Sequence, residues 1–390
     1  MEHKQMEHKQ MEHKQMEHKQ MENEQMENEQ MENEQMRRAN EYDVSTESYV
    51  ERKAQQGNDE RMRKVNEYDV STNAYAEWKA QQGKVAHIRL IGTATEEQIN
   101  DLAGLFDHRE YETITLDALS VADIVDDNGA RYTYEEKMKN LVEWNERVQP
   151  PLIKMIMNRE NGNEFQVTKE GDIFTSDMRT LIHMQQVPET LVLDGIERIG
   201  NFAFYWIDGI KHITLVNGLQ YIGEYAFAGV GGPDTLILPD SITDLGKGAF
   251  NCCDIENLRL SRNLRIIPDE CFSLTNLEFL EIPSSVREIG SRAFFVTFLK
   301  KVVIPEGVEQ IADNSFSFLI EIDLPASLKE IASDFYYESF VDNEVFPPYV
   351  RISADNPIFY AKDGSLYFRG NDKLALDSGF NGIPDSYYNR

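Results

Sequence analysis

The chain has 390 residues, with 39 Lys+Arg against 68 Asp+Glu, a formal net charge of -29. That length gives room for two or three domains and an ample core, while the acidity disfavours a general nucleic-acid or anionic-lipid surface. No run of 18 apolar residues is present, so no segment reads as a membrane span; the polar start lacks the apolar core of a signal peptide, and Cys252, Cys253 and Cys271 cannot make a disulfide framework.

Residues 1–35 are MEHKQ four times and then MENEQ three times. Five residues advance an α-helix by about 500°, about 140° net, so successive Met spiral and build no apolar stripe. This segment reads as a disordered tail or a solvated helix. Capture of a metal by His3, His8, His13 and His18 is disfavoured, because a spacing of five puts successive imidazoles on different faces. Residues 36–84 hold a 26-residue repeat: Asn40 to Thr46 recurs as Asn66 to Thr72, and Ala54-Gln55-Gln56-Gly57 as Ala80-Gln81-Gln82-Gly83. Hydroxyl residues at the start and Gly at the end predict two short helices.

Residues 85–188 read as an α/β cap and a connection. A strand from Ile88 to Thr93 leads to a capping box of Thr95 with Gln98. Ile99, Leu102 and Leu105 then share a helix face, and Ile114 to Asp117 form a second strand. Residues 119–165, with Pro150-Pro151, are expected to be irregular or partly helical.

Residues 189–345 carry the dominant period. Ile199-Gly200-Asn201-Phe202-Ala203-Phe204 returns around Phe227 and Phe250, and in weaker forms around Phe272, Phe294 and Phe316. The steps between these aromatics are 23, 23, 22, 22 and 22, and a seventh copy runs from Ile331 to Tyr336. Between them lie short apolar-x-apolar strands: Leu191/Leu193, Ile213/Leu215, Leu236/Leu238, Leu258/Leu260, Leu280/Ile282, Val302/Ile304 and Ile322/Leu324. Pro239, Pro283, Pro305 and Pro325 end four of them. Such strands are too short to stand alone. Stacked in parallel, one per repeat, they share a continuous core into which Leu, Ile and the periodic Phe point. Residues 346–390 read as a C-terminal cap closed by a β-hairpin of Leu366-Tyr367-Phe368 with Leu374-Ala375-Leu376.

These elements resemble the BspA-like leucine-rich repeat family, with its Ile-Gly-x-x-Ala-Phe and apolar-x-apolar-Pro units. Asn356-Pro357-Ile358-Phe359 with Asp363-Gly364-Ser365-Leu366-Tyr367 is similar to a unit near the ends of such arrays, and the 88–117 segment to the opening of bacterial members. The resemblance covers roughly residues 86–376. It implies a leucine-rich-repeat solenoid that recognises proteins or other macromolecules, often at a microbial cell surface, as adhesin-like proteins do, without catalysis. The N-terminus by itself points to the cytoplasm, whereas the resemblance points to the surface. An alternative is an intracellular scaffold that self-associates through its N-terminal repeats.

No reaction motif is present, and no cofactor or metal is expected. Gly246-Lys247-Gly248 lacks a phosphate loop's third Gly, and Asp126-Asp127-Asn128-Gly129 fails calcium-loop spacing at Ile124. Cys271 and Cys253 read as small core residues. Binding of a protein or other macromolecular ligand falls to the outward residues of the sheet: the middle residues Val192, Thr214, Ile237, Arg259, Glu281, Val303 and Asp323, and the preceding His212, Thr235, Asn257, Phe279, Lys301 and Glu321. Of these His212, Thr214, Arg259, Phe279, Glu281 and Lys301 are the candidate contacts, with Phe279, Arg259 and Lys301 foremost because exposed aromatics and cations anchor interfaces. Tyr205-Trp206 is either a contact patch or packing under the cap.

Overall fold

A computed structural model describes residues 66–69, 87–95, 98–99, 113–125, 131–133, 151–337, 340–341, 344–345 and 348–376. The tail of residues 1–35, its histidines, and the helices expected in the 26-residue repeats lie outside the described residues. Inside the repeats, Asn66–Asp69 is a strand.

Each repeat winds once. It lays one rung in a front row of strands, a two-residue rung in a back row, and a tight turn joining them. The front rungs are Thr190–Leu193, His212–Leu215, Thr235–Ile237, Asn257–Arg259, then residues 278–282, then Lys301–Val303, Glu321–Leu324 and Tyr349–Ile352. They are numbered one to eight below. Adjacent bonded rungs are parallel, as the shared direction of the winding requires. The back row runs Arg198–Ile199, Tyr221–Ile222, Asp244–Leu245, Ile266–Ile267, Glu288–Ile289, Gln310–Ile311 and Glu330–Ile331. The apolar pattern predicts one strand per repeat. The second is two residues long, below the length at which alternation shows in sequence.

Period-two burial appears in the front row. Leu191, Leu193, Ile213, Leu215, Leu236, Leu238, Val302, Ile304, Ile322 and Leu324 are buried, and the residues between them face outward. The six periodic Phe form a stack through the centre. Phe204, Phe227, Phe250, Phe272, Phe294 and Phe316 are all 0% exposed. Their successive ring centroids lie 4.9, 5.4, 5.5, 5.7 and 5.5 Å apart and within 10° of parallel. At the seventh copy the pattern changes. Tyr336 pairs with Phe316 in register but is half-buried, and Phe335, in the small-residue position, is the buried ring.

The small residues allow close approach. A Cβ added at Gly290 would lie 2.6 Å from the main-chain nitrogen of Asp269 in the previous rung. The turns around the periodic Phe hold two left-handed residues each, one two positions before the Phe and one two positions after. Around Phe294 they are Arg292 (φ 54°) and Val296 (φ 55°), and around Phe272 they are Glu270 (φ 57°) and Leu274 (φ 58°). This conformation costs roughly 1–2 kcal/mol in a residue with a side chain. Rung-to-rung bonds offset it: Glu270 donates its N–H to Ser291 O at 2.8 Å, Arg292 to Asp313 O at 3.0 Å and Leu274 to Phe295 O at 2.7 Å.

The hydrogen-bond ladder is less continuous than the Phe stack. Residues 278–282 form no strand, so the rung expected at Leu280/Ile282 keeps its buried Ile282 but not its ladder. In the back row the ladder stops between Asp244–Leu245 and Ile266–Ile267. There Pro268 occupies the place of the Gly, and it has no N–H to donate.

The N-terminal cap is a sheet continuous with the back row. Strands β1 (Asn66–Asp69), β2 (His87–Ala94), β3 (Thr113–Val121), β4 (Glu164–Val167), β5 (Ile173–Thr175) and β6 (Thr180–His183) lead into Arg198–Ile199. The expected capping box is present: Thr95 N–H donates to Gln98 Oε1 at 2.8 Å, and Gln98 N–H to Thr95 Oγ1 at 3.3 Å. Ile99 is buried; Leu102 and Leu105 lie outside the described residues. The connection contains a helix, α1 (Pro151–Met157), buried at every position, with Pro at its first residue where no N–H is needed. Lys154 of α1 is 0% exposed; its Nζ donates to Ala203 O at 2.7 Å and lies 3.4 Å from His183 Nδ1. Burial, and then the charge of Lys154, push the His183 pKa down to about 3, so the ring is neutral.

At the far end Phe359–Lys362, Ser365–Phe368 and Leu374–Leu376 form three antiparallel strands, one more than the expected hairpin. Asn356, 1% exposed, joins this cap to the repeats. Its Nδ2 donates to the carbonyls of Pro325, Ala326 and Leu328, and its Oδ1 accepts from Ile358 and Phe359.

Candidate binding face

The front row presents two outward columns. The first residues of the rungs are Thr190, His212, Thr235, Asn257, Phe279, Lys301, Glu321 and Tyr349. The middle residues are Val192, Thr214, Ile237, Arg259, Glu281, Val303, Asp323 and Arg351. A shared core fixes their spacing, so the surface is formed before anything touches it.

The six candidate contacts all lie on this face, in differing settings. His212 is exposed beside Thr190, and Thr214 is half-buried beside Val192. Arg259 is half-buried, with Nη2 3.4 Å from Asp240 Oδ1. Phe279 is 72% exposed on rung five. Glu281 is exposed two residues on, and Lys301 is exposed with Nζ 3.7 Å from Glu321 Oε2. The two cations thus have acids beside them on their own face, whereas Phe279 projects.

Rung eight lies beyond the periodic repeats. Tyr349–Ile352 lies in the segment read as the C-terminal cap, yet it pairs with rung seven from Glu321↔Tyr349 to Leu324↔Ile352. Its apolar-x-apolar pair Val350/Ile352 falls 28 residues after Ile322/Leu324, out of phase with steps of 20 to 23. Pro347-Pro348 just before it, together with that pair, was the available signal. Arg351 Nη1 donates to Glu321 at 2.9 Å and Asp323 at 3.1 Å, and its guanidinium lies 5.2 Å from the Tyr349 ring centre. The Arg351 hydrogen bond holds the Glu321 carboxyl below its ordinary range, and the same bond raises Arg351. Rungs six to eight therefore carry a charge network, while rungs one to three present uncharged residues.

Tyr205 and Trp206 pack. Tyr205 is 1% exposed and meets Phe202 edge-on at 5.5 Å, and half-buried Trp206 lies over Gly229. Cys253 and Cys271 are fully buried, and burial raises both thiols well above their ordinary pKa; half-buried Cys252 is raised for the same reason. Asp126 to Gly129 lie outside the described residues.

The repeat region matches a known family. Residues 197–323 and 298–361 fit the BspA type leucine rich repeat region in six copies. The repeat region is a BspA-type leucine-rich repeat. A comparison with curated proteins finds no match. Among solved structures, the pneumococcal vaccine antigen PcpA is 20% identical, over 53% of this chain and 52% of that one, with a TM-score of 0.36. A leucine-rich repeat protein from Bacteroides ovatus is 23% identical, over 36% and 50%, with a TM-score of 0.26. A leucine rich cell surface protein from Faecalibacterium prausnitzii is 19% identical, over 64% and 43%, with a TM-score of 0.21. The chain spans about half the length of the solved structures it matches. No helix among the described residues is long and apolar enough to cross a membrane.

Proposed function

We propose that the protein is a non-catalytic binding module that recognises a macromolecular partner on the front row, in the manner of a surface adhesin. One observation carries this reading: buried residues on the same strands hold the fold, which leaves the outward columns available for contact. A rigid face loses little ordering entropy on association. The buried thiols and the neutral, enclosed His183 support a role without bond-making chemistry, since raised thiols are poor nucleophiles.

The contact residues proposed are His212, Thr214, Arg259, Phe279, Glu281 and Lys301, now joined by Tyr349 and Arg351. The test probes arrayed extracellular and cell-surface macromolecules with the full chain and with the triple variant Phe279→Ser, Arg259→Ser, Lys301→Ser. Loss of capture at an unchanged melting temperature is expected. Equal capture by both removes this face from consideration. Protease treatment of intact cells checks the location: a surface protein is cleaved, and an internal one survives.

A further inference from the structure

The three-stranded C-terminal cap carries an unbroken apolar row on its outward side. Phe359 and Leu366 are buried in the core of the repeats, so their chain neighbours Tyr360 and Tyr367 point the other way. Tyr360 stands opposite Tyr367 in the pairing, and Tyr367 opposite Leu374, so the row crosses all three strands. The two tyrosine rings stack at 5.4 Å and 21°. Tyr360 is anchored as well: its hydroxyl donates to Asp372 Oδ1 at 3.1 Å, and the Arg369 guanidinium lies 5.8 Å from its ring centre. Both tyrosines are half-buried, and Leu374 is 42% exposed. Single apolar residues on a surface need no explanation, but a row whose members are paired side by side does.

Leu374–Leu376 is the outer strand of this sheet, and residues 377–390 leave from its end. They lie outside the described residues. Their sequence opens with Asp377-Ser378-Gly379, which supplies a reversal, and continues with Phe380 and Ile383. From Leu376 back to the row is about 7 Å along the strand, and the row is two strand spacings, about 10 Å, wide. Phe380, four residues on, reaches about 13 Å, enough for Leu374 and Tyr367; Ile383, seven residues on, reaches about 23 Å, enough for Tyr360. The charges agree. The exposed charged side chains from Phe359 to Leu374 are the cations Lys362, Arg369 and Lys373 and the acids Asp363 and Asp372, a local positive excess on a chain of net charge -29. Lys362 shares the face of Tyr360, two residues along its strand, and Asp385 follows Ile383 by two residues. An apolar residue followed by an acid thus meets an apolar residue followed by a base.

We propose that residues 380–385 dock on the row of Tyr360, Tyr367 and Leu374, with Phe380 over Leu374 and Tyr367 and with Ile383 over Tyr360. The occupant is this chain's own C-terminal segment. Its tether at Leu376 makes the contact intramolecular, so three apolar side chains are enough to hold it, where a separate partner on the same small area would dissociate. The proposal is independent of the front row, since the cap strands stand outside it.

The test is limited proteolysis of the full chain, read by mass spectrometry. Chymotrypsin cleaves after Phe380 only when the segment is released, so its rate follows the open fraction. Each rate is divided by that of the matching free peptide of residues 377–390, which removes the effect of a substitution on the protease itself. Ile383→Ser takes away part of the contact without touching the cap, and it is expected to speed cleavage after Phe380 at least about fivefold. Tyr360→Ser with Tyr367→Ser is expected to do the same from the cap side. Trypsin cleavage after Lys373, beside the outer strand, reports the cap itself and is expected to keep its wild-type rate in the Ile383 variant. Cleavage after Phe380 within about twofold of wild type in the Ile383 variant overturns the proposal. So does an equal rise after Lys373 in that variant, which would mean that the whole cap opens. Protection that grows between about 1 and about 100 µM protein would assign the row to a second copy and overturn it too.

Discussion

Phe250 lies in the middle of the interior stack, and its truncation tests whether that stack holds the repeats together. Its ring is 0% exposed and parallel to Phe227 and Phe272, at 5.4 and 5.5 Å. Phe250→Ala removes buried apolar area and leaves a cavity that the stacked rungs on either side cannot collapse. A cost of about 3–5 kcal/mol follows. Phe250→Leu refills most of the volume and should cost about 1.5 kcal/mol or less. Phe279→Ala, on an exposed ring, should change stability by no more than about 0.5 kcal/mol. Urea unfolding of the full chain, followed by far-ultraviolet circular dichroism, measures all three. Because repeats are coupled only through neighbours, the Phe250→Ala transition should also broaden as the array divides at that rung. A loss below about 1 kcal/mol, or equal losses at Phe250 and Phe279, would refute the claim that the Phe stack is the main cohesive element.

Two further outcomes concern the cap and the turns. His183 has a folded pKa of about 3, below its unfolded value of about 6.5, so the unfolded chain binds the extra proton between these values and stability falls as the pH is lowered through that window. From pH 7 to 5.5 this one group costs about 1.2 kcal/mol, and His183→Gln should lose that much less than wild type over the same interval; parallel curves would show that the ring is not enclosed. Arg292→Gly should be more stable than Arg292→Ala by about 1 kcal/mol, because only Gly relieves the φ of 54° while both delete the side chain. Chemical denaturation of the pair reads the difference directly, and equal stabilities would mean that the turn is not strained.

Much of the fold was legible because the repeat imposes the same burial at each turn. Phe204 to Phe316 had to share an environment once they recurred every 22 or 23 residues, and Leu191, Ile213 and Leu236 had to face that environment from strands of period two. The capping box at Thr95 was legible because both partners lie within four residues. These are local patterns copied along the chain, and copying makes the core evident without coordinates.

What depended on the tertiary structure involves contacts between different rungs. Rung eight enters the front row after a 28-residue step, which no period announces. Rung five keeps its apolar residues but loses its ladder, because burial follows each rung's own alternation whereas hydrogen bonding requires two rungs at the right spacing. Pro268 interrupts the back row by removing an N–H that only a neighbouring carbonyl would have used. The pairing of Arg259 with Asp240 and of Arg351 with Glu321 and Asp323 joins residues 19 to 30 positions apart. Lys154 and His183 meet inside the cap because helix and strand close over them. Sequence sets which side chains must leave water; the stacking of rungs decides which polar groups then find one another.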